Sequence, residues 1–240
     1  PEKVFFNQPI KGKNKTYTYQ EAGLEIRKIA QSIKNLNIPE KGKIALLSKN
    51  CAYWIMADLA IMMGGYVSVP IYPTLNADSI EYILNHSEAK AIIIGKLDDY
   101  ESQKSGIKNI PKIGISLYGI EEELSWETLA ENTSPINNIV NLKDDDLFTI
   151  IYTSGTTGVP KGVMHKVSSF AQASNTALQI FHLPDYPRFF SYLPLSHIAE
   201  RMGIEMQGLY RGASFTFPES LETFAADLES LQPHLFFAVP

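Results

Sequence analysis

Four hydroxyl side chains besides the tyrosine, three glycines and one lysine crowd the twelve residues from Tyr152 to Val163, which run Tyr152-Thr153-Ser154-Gly155-Thr156-Thr157-Gly158-Val159-Pro160-Lys161-Gly162-Val163. Glycines allow positive φ and close approach of the backbone to a ligand. Hydroxyls and free N–H groups donate to anionic oxygens, and the lysine adds a mobile positive charge. That combination suits a polyphosphate; a plain Gly/Ser/Thr surface turn is the competing reading. The loop departs from the Walker A pattern G-x-x-x-x-G-K-[ST]. Counted from Gly155, Pro160 stands at the second glycine and Gly162 at the metal-binding hydroxyl. Proline has no N–H to offer a phosphate, and glycine has no oxygen to offer a metal.

A second candidate lies in Leu193-Pro194-Leu195-Ser196-His197-Ile198-Ala199-Glu200-Arg201. His197 follows an apolar run and opens a helical pattern, a strand-to-helix junction where α/β proteins place ligand contacts. It reads either as a donor to an anion or as a helix cap. Glu200 and Arg201 read as partners of neighbouring elements. His86, His165, His182 and His234 lack metal-ligand spacing and read as structural or surface residues.

These residues need a scaffold, and the hydrophobic periodicity supplies one. Phe148-Thr149-Ile150-Ile151 reads as a strand entering the Gly-rich loop, with a helix expected after it, so that a helix N-terminus would also face the phosphate. Upstream, Thr18 and Glu21 form a capping-box pattern before a helix reaching Leu36. Strands are expected at 44–47, 66–71, 91–94, 113–115, 147–152, 189–193, 213–217 and 235–239. Helices are expected at 52–63, 77–85, 126–131, 169–181, 198–210 and 221–231. The apolar stretch from Trp54 to Tyr72 contains Asp58, Gly64-Gly65 and Pro70, and reads as a buried helix followed by a buried strand. Apolar strands alternating with helices imply an α/β fold of layered αβα subdomains with mostly parallel sheets. The polar run 132–146 is the best boundary, dividing the chain into 1–140 and 141–240.

A formal charge of −5 over 240 residues gives no electrostatic support for nucleic-acid binding. One cysteine, Cys51, excludes an intrachain disulfide and is compatible with a reducing cytoplasm. The chain begins at Pro1 and stops within what reads as a core strand, so it is read as a piece of a longer protein.

The run Thr153 to Gly162 matches, at every position, the pattern [ST]-[SG]-G-[ST]-[TS]-G-x-P-K-G, and so resembles the signature of the adenylate-forming enzymes. Val69-Pro70-Ile71-Tyr72-Pro73-Thr74-Leu75, the segment from Ile80 to Lys90, and Leu193 to Arg201 resemble the long-chain acyl-CoA synthetase branch. The resemblance implies that ATP and a fatty acid form an acyl-adenylate with loss of pyrophosphate, after which coenzyme A displaces AMP. It implies that Thr153, Ser154, Gly155, Thr156, Thr157 and Gly158 cradle the β- and γ-phosphates, that Lys161 pairs with the same phosphates, and that Thr153 helps hold Mg2+. His197 would stand between carboxylate and α-phosphate. Tyr192, Tyr210, Phe215 and Phe217 are candidates to line an acyl tunnel, with core packing an equal reading.

The resemblance also admits a homodimer through this half and a peripheral place at a membrane surface. The family's adenine-stacking Tyr-Gly-x-Thr-Glu motif, its ribose aspartate and its C-terminal adenylation lysine are absent from these 240 residues. Residues 1–240 alone are therefore expected to be inactive and to bind ATP weakly. An aryl-CoA ligase, a fatty acyl-AMP ligase, an amino-acid adenylation domain and a non-catalytic nucleotide-binding module remain as alternatives.

Overall fold

The computed structural model describes residues 1–153 and 159–238. The chain opens with an antiparallel pair, β1 (Val4–Ile10) and β2 (Lys13–Thr18), and enters helix α1 (Tyr19–Asn35). The expected capping box starts α1. The Thr18 hydroxyl accepts from the Glu21 N–H, and the Glu21 carboxylate accepts from the Thr18 N–H. Strand β3 (Lys43–Leu47), helix α2 (Ala52–Met63), strand β4 (Val67–Ile71), helix α3 (Ala77–Ser87) and strand β5 (Ala89–Ile94) then alternate. A short α4 (Tyr100–Gln103), β6 (Lys112–Gly114), β7 (Leu124–Ser125) and α5 (Trp126–Asn132) follow. Residues Trp54 to Tyr72 form the expected buried helix and strand, and no helix among the described residues is long and apolar enough to cross a membrane.

Beyond the polar run come β8 (Leu147–Thr153), β9 (Lys161–Lys166), α6 (Val167–Ile180) and β10 (Arg188–Phe190). Helix α7 (Ile198–Glu200) passes through a π-helical stretch, Arg201–Met206, into α8 (Gln207–Arg211). Strand β11 (Ser214–Thr216) and helix α9 (Phe224–Leu231) end the regular structure. Of the strand expected at 235–239, the described part makes one parallel bridge, Leu235 to Phe189.

The strands form a seven-stranded sheet, in the order β7-β6-β5-β3-β4-β8-β9, and a four-stranded sheet, β10-β11-β1-β2. Every pairing is parallel except the hairpins β1–β2 and β8–β9. The sheets do not divide at residue 140. Strands β1 and β2 join β10 and β11, while β8 and β9 extend the sheet of β3 to β7, because pairing follows spatial neighbours and not chain order. Ile44, Leu46 and Ile93 on one face of the large sheet pack on α1 and α2, whose other side meets Phe6, Phe189 and Phe215 of the small sheet. Ala45, Leu47 and Ile92 on the opposite face pack on Ile80 and Ile83 of α3. The layers are thus helix, sheet, helices, sheet, an α/β architecture with mostly parallel strands.

Candidate functional site

A cleft of about 480 Å³ opens where β4 and β8 end. Crevices at the carboxyl ends of parallel strands are where α/β sheets place ligands. Tyr72, Thr74 and Leu75 follow β4, Tyr152 and Thr153 close β8, Pro160 lies on the return of the hairpin, and His197 comes from the start of α7, its ring 6.5 Å from that of Tyr72. Ser79 and Ile83 of α3 complete the lining.

Thr153 is exposed at the lip of this cleft and is paired in register with Lys161, also exposed, across the β8–β9 ladder. The remaining loop candidates, Ser154, Gly155, Thr156, Thr157 and Gly158, lie outside the described residues. One expectation is corrected. A strand, β9, follows the loop, and α6 starts only at Val167, whose N–H donates to Asp146 beside the base of the hairpin. The helix N-terminus is therefore at the wrong end to face a ligand in the loop. The hairpin forms because Gly162 fits against the Tyr152 ring and Ile150. A Cβ there would meet the Ile150 Cγ2 at 2.9 Å and the Tyr152 Cζ at 3.1 Å. Lysines at both ends of β9, Lys161 and Lys166, also suit an edge strand, where charge discourages further pairing.

His197 caps α7. Its Nδ1 accepts from the Ala199 N–H at 3.1 Å, so in the neutral ring the proton sits on Nε2. The cap and the cleft-lining role are thus compatible: one nitrogen holds the helix and the other is left as a donor. The loop leading to His197 is held by Asn50, which is buried. Its amide donates to the Leu193 carbonyl at 2.6 Å and to Ser191 Oγ at 2.9 Å, and its Oδ1 accepts from the Leu195 N–H at 2.9 Å. Neither Asn50 nor His86 announces such a role in the sequence. His86 Nδ1 is 2.8 Å from the Tyr152 hydroxyl at the cleft wall, an interaction with a residue 66 positions away.

Glu200 is buried and accepts from Ser191 Oγ at 2.9 Å and the Tyr192 N–H at 3.1 Å, while its Oε2 has no partner among the described residues. Burial outweighs those bonds and pushes its carboxyl up to about 8. The folded protein then keeps a proton that the unfolded chain releases above its ordinary value of 4.5. This contribution to stability is complete below pH 4.5 and is lost progressively as the pH rises to about 8. Glu205, raised in the same direction by burial and by Asp58, steepens the trend. Glu200→Gln is expected to flatten the fall in melting temperature between pH 5 and pH 8, measured by thermal denaturation across that range. An unchanged slope would contradict it.

The four aromatic tunnel candidates do not converge. Phe215 and Phe217 are fully buried in the core beside the small sheet, and Tyr210 is exposed. Tyr192 lines a second cleft of about 420 Å³ that shares Thr74 with the first. Core packing accounts for the two phenylalanines because both sheets need large side chains to fill the space around α2.

Neutral oxygens of Thr74, Ser79 and Thr153 line the first cleft, and among the described residues no group of three or more His, Cys, Asp or Glu could hold a metal. Such donors suit a magnesium ion that arrives on polyphosphate oxygens and keeps several waters, with one hydroxyl added by the protein. They do not suit a resident ion in an all-protein cage.

The family described as AMP-binding enzyme matches residues 1–240. The chain belongs to that family. Among AMP-binding relatives it is 30% identical over 260 residues to long chain acyl-CoA synthetase 4 of Arabidopsis thaliana, covering 95% of this chain and 37% of the relative. The match falls in the N-terminal part of that protein. The fold is similar to an anthranilate CoA ligase solved with anthranoyl-AMP, with a TM-score of 0.83 and 20% identity over 96% of this chain and 45% of that one. It is similar also to the o-succinylbenzoate CoA synthetase of Bacillus subtilis solved with ATP and magnesium, with a TM-score of 0.77 and 17% identity over 97% of this chain and 58% of that one. The chain spans little more than a third of the length of the curated relative named above.

Proposed function

We propose that the full-length protein is a long-chain fatty-acid–CoA ligase that uses ATP, carried with Mg2+, and coenzyme A. The observation that supports this most is the meeting of Thr153, whose ladder partner is Lys161, with His197 around one cleft at the strand ends. In the reaction a fatty carboxylate oxygen bonds to the α-phosphorus of ATP and the bond to pyrophosphate breaks. The thiol sulfur of coenzyme A then bonds to the acyl carbon, and AMP leaves. Both reactants of the first step are anions, so neutralisation and orientation carry most of the catalysis. Magnesium on the phosphates supplies part of that neutralisation.

The chain's own residues supply the rest. Lys161 and the hydroxyls that begin at Thr153, followed by Ser154, Gly155, Thr156, Thr157 and Gly158, grip the β- and γ-phosphates, and Thr153 offers one oxygen to the metal. His197 donates from Nε2 to the carboxylate or the α-phosphate while Nδ1 stays with the helix. Long-chain specificity rests on the likeness to the plant synthetase. The adenine and ribose motifs of the family do not occur in residues 1–240, so residues 1–240 alone are inactive in this reading. The amphipathic product suits a cytoplasmic enzyme that works peripherally at a membrane surface, alone or as a homodimer.

Product analysis of the full-length protein by mass spectrometry tests the reading, with a C16 fatty acid, benzoate and a mixture of amino acids offered separately with ATP and coenzyme A. Acyl-CoA from the fatty acid alone is expected. Acyl-AMP that accumulates despite coenzyme A would instead indicate a fatty acyl-AMP ligase, and no adenylate from any acid would defeat the proposal.

A further inference from the structure

Arg201 has no accessible surface, yet it carries a charge into the interior four residues after His197. Its guanidinium meets Asp58 of α2 and Glu205 of its own helix, and Nη1 donates to Thr149 Oγ1 of β8 at 2.6 Å. The rings of Trp54, Phe148 and Phe170 surround it at 5.0 to 5.7 Å. Thr149 passes the connection on, because its hydroxyl donates to the Ser68 carbonyl of β4 at 2.8 Å. One relay, Arg201 to Thr149 to Ser68, therefore ties together the helix that begins at His197, the strand that ends at Thr153 and the strand that leads to Tyr72 and Thr74.

Those are the elements that wall the cleft. The relay also lies where the sheet is most thinly laddered, since β4 and β8 share one registered pair, Ser68 with Thr149, among the described residues. The helix departs from α geometry at this point, with the π-helical stretch beginning at Arg201. Such stretches are uncommon and tend to persist where function requires them.

We infer that Arg201 is a positioning residue, acting through the Thr149 hydroxyl to set the distance between the phosphate-loop strand and His197. The inference rests on the ligase reading above. A protein without the Thr149 hydroxyl keeps its fold while the phosphate grip and the carboxylate donor shift relative to one another, and displacements of about 1 Å can cost on the order of 100-fold in rate.

The test uses the full-length protein, with single-turnover formation of acyl-adenylate from a C16 fatty acid at saturating MgATP, normalised to folded protein by melting curves. Thr149→Val keeps the shape but removes the hydroxyl, and is expected to slow the step at least fivefold with the KM for ATP changed less than twofold. Thr149→Ser, which keeps the hydroxyl, is expected to stay within twofold of wild type. Arg201→Lys keeps the charge near Asp58 but loses the fork that reaches Thr149. Combined with Thr149→Val, it is expected to add nothing beyond the worse single variant, as for two members of one path. The inference is overturned if Thr149→Val slows the step less than fivefold, if serine falls as far as valine, if the loss merely tracks unfolded protein, or if the two variants add. A wild-type protein that forms no acyl-adenylate would sink the ligase reading itself, and this inference with it.

Discussion

Lys161→Ala in the full-length protein is expected to slow acyl-adenylate formation at saturating ATP by roughly 30- to 900-fold, the equivalent of about 2–4 kcal/mol of transition-state stabilisation for a preorganised donor at a developing charge. The size follows from position. Lys161 stands opposite Thr153 at the loop end of the hairpin, exposed and without an ion-pair partner among the described residues, so its charge is available to a ligand. Its stem begins on a strand paired along its whole length to β8, which limits how far the ammonium must be reorganised as pyrophosphate departs. Lys161→Arg should recover only part of the rate, because a planar fork does not replace a compact ammonium. Single-turnover kinetics with labelled ATP measures both. A rate within about twofold of wild type for the alanine variant would remove Lys161 from the phosphate grip.

Arg201→Ala is expected to destabilise the protein by about 3–5 kcal/mol, the usual result of stripping one partner from a buried ion pair. Asp58 is as deeply buried as Arg201, and its Oδ1 already lacks a partner among the described residues, so the aspartate would be left with an uncompensated charge. Glu205 adds little to the imbalance, since burial and the neighbouring Asp58 hold it towards the neutral form. Replacing both members, Asp58→Leu with Arg201→Met, is expected to recover much of the loss, because an apolar pair of similar volume carries no desolvation cost. Urea denaturation of wild type and the two variants provides the comparison. An alanine variant within about 1 kcal/mol of wild type, or a double variant worse than the single, would show that the pair is not balanced as described.

The two predictions differ in how much of their basis the sequence reveals. Lys161, Thr153 and His197 are legible in the chain because their chemistry is local: hydroxyls, glycines and a lysine at close spacing suit phosphate whatever surrounds them. The capped first helix, the buried helix 52–63 and the alternating parallel strands are legible for the same reason, since periodicity and caps act over one or two turns of chain. Strands β1 and β2 are not. Pro9 and the polar Asn7 and Gln8 break any strand pattern, and β1 is secured by pairing with β11, more than 200 residues away. The hairpin strand β9 escapes for a related reason: Lys161 to Lys166 is mostly exposed at a sheet edge, so no apolar alternation marks it.

Residue types and near spacing were thus enough to determine the α/β class, the family signature and the candidates for phosphate and carboxylate. Only the tertiary structure decided that the loop tips a β-hairpin and does not lead directly into a helix, that Phe215 and Phe217 belong to the core, and that Asn50, His86 and Arg201 support the cleft. The physical reason is range. Caps, turns and periodic faces are properties of a few consecutive residues, whereas a buried charge or amide is given its role by partners that folding brings from 52 to 145 positions away.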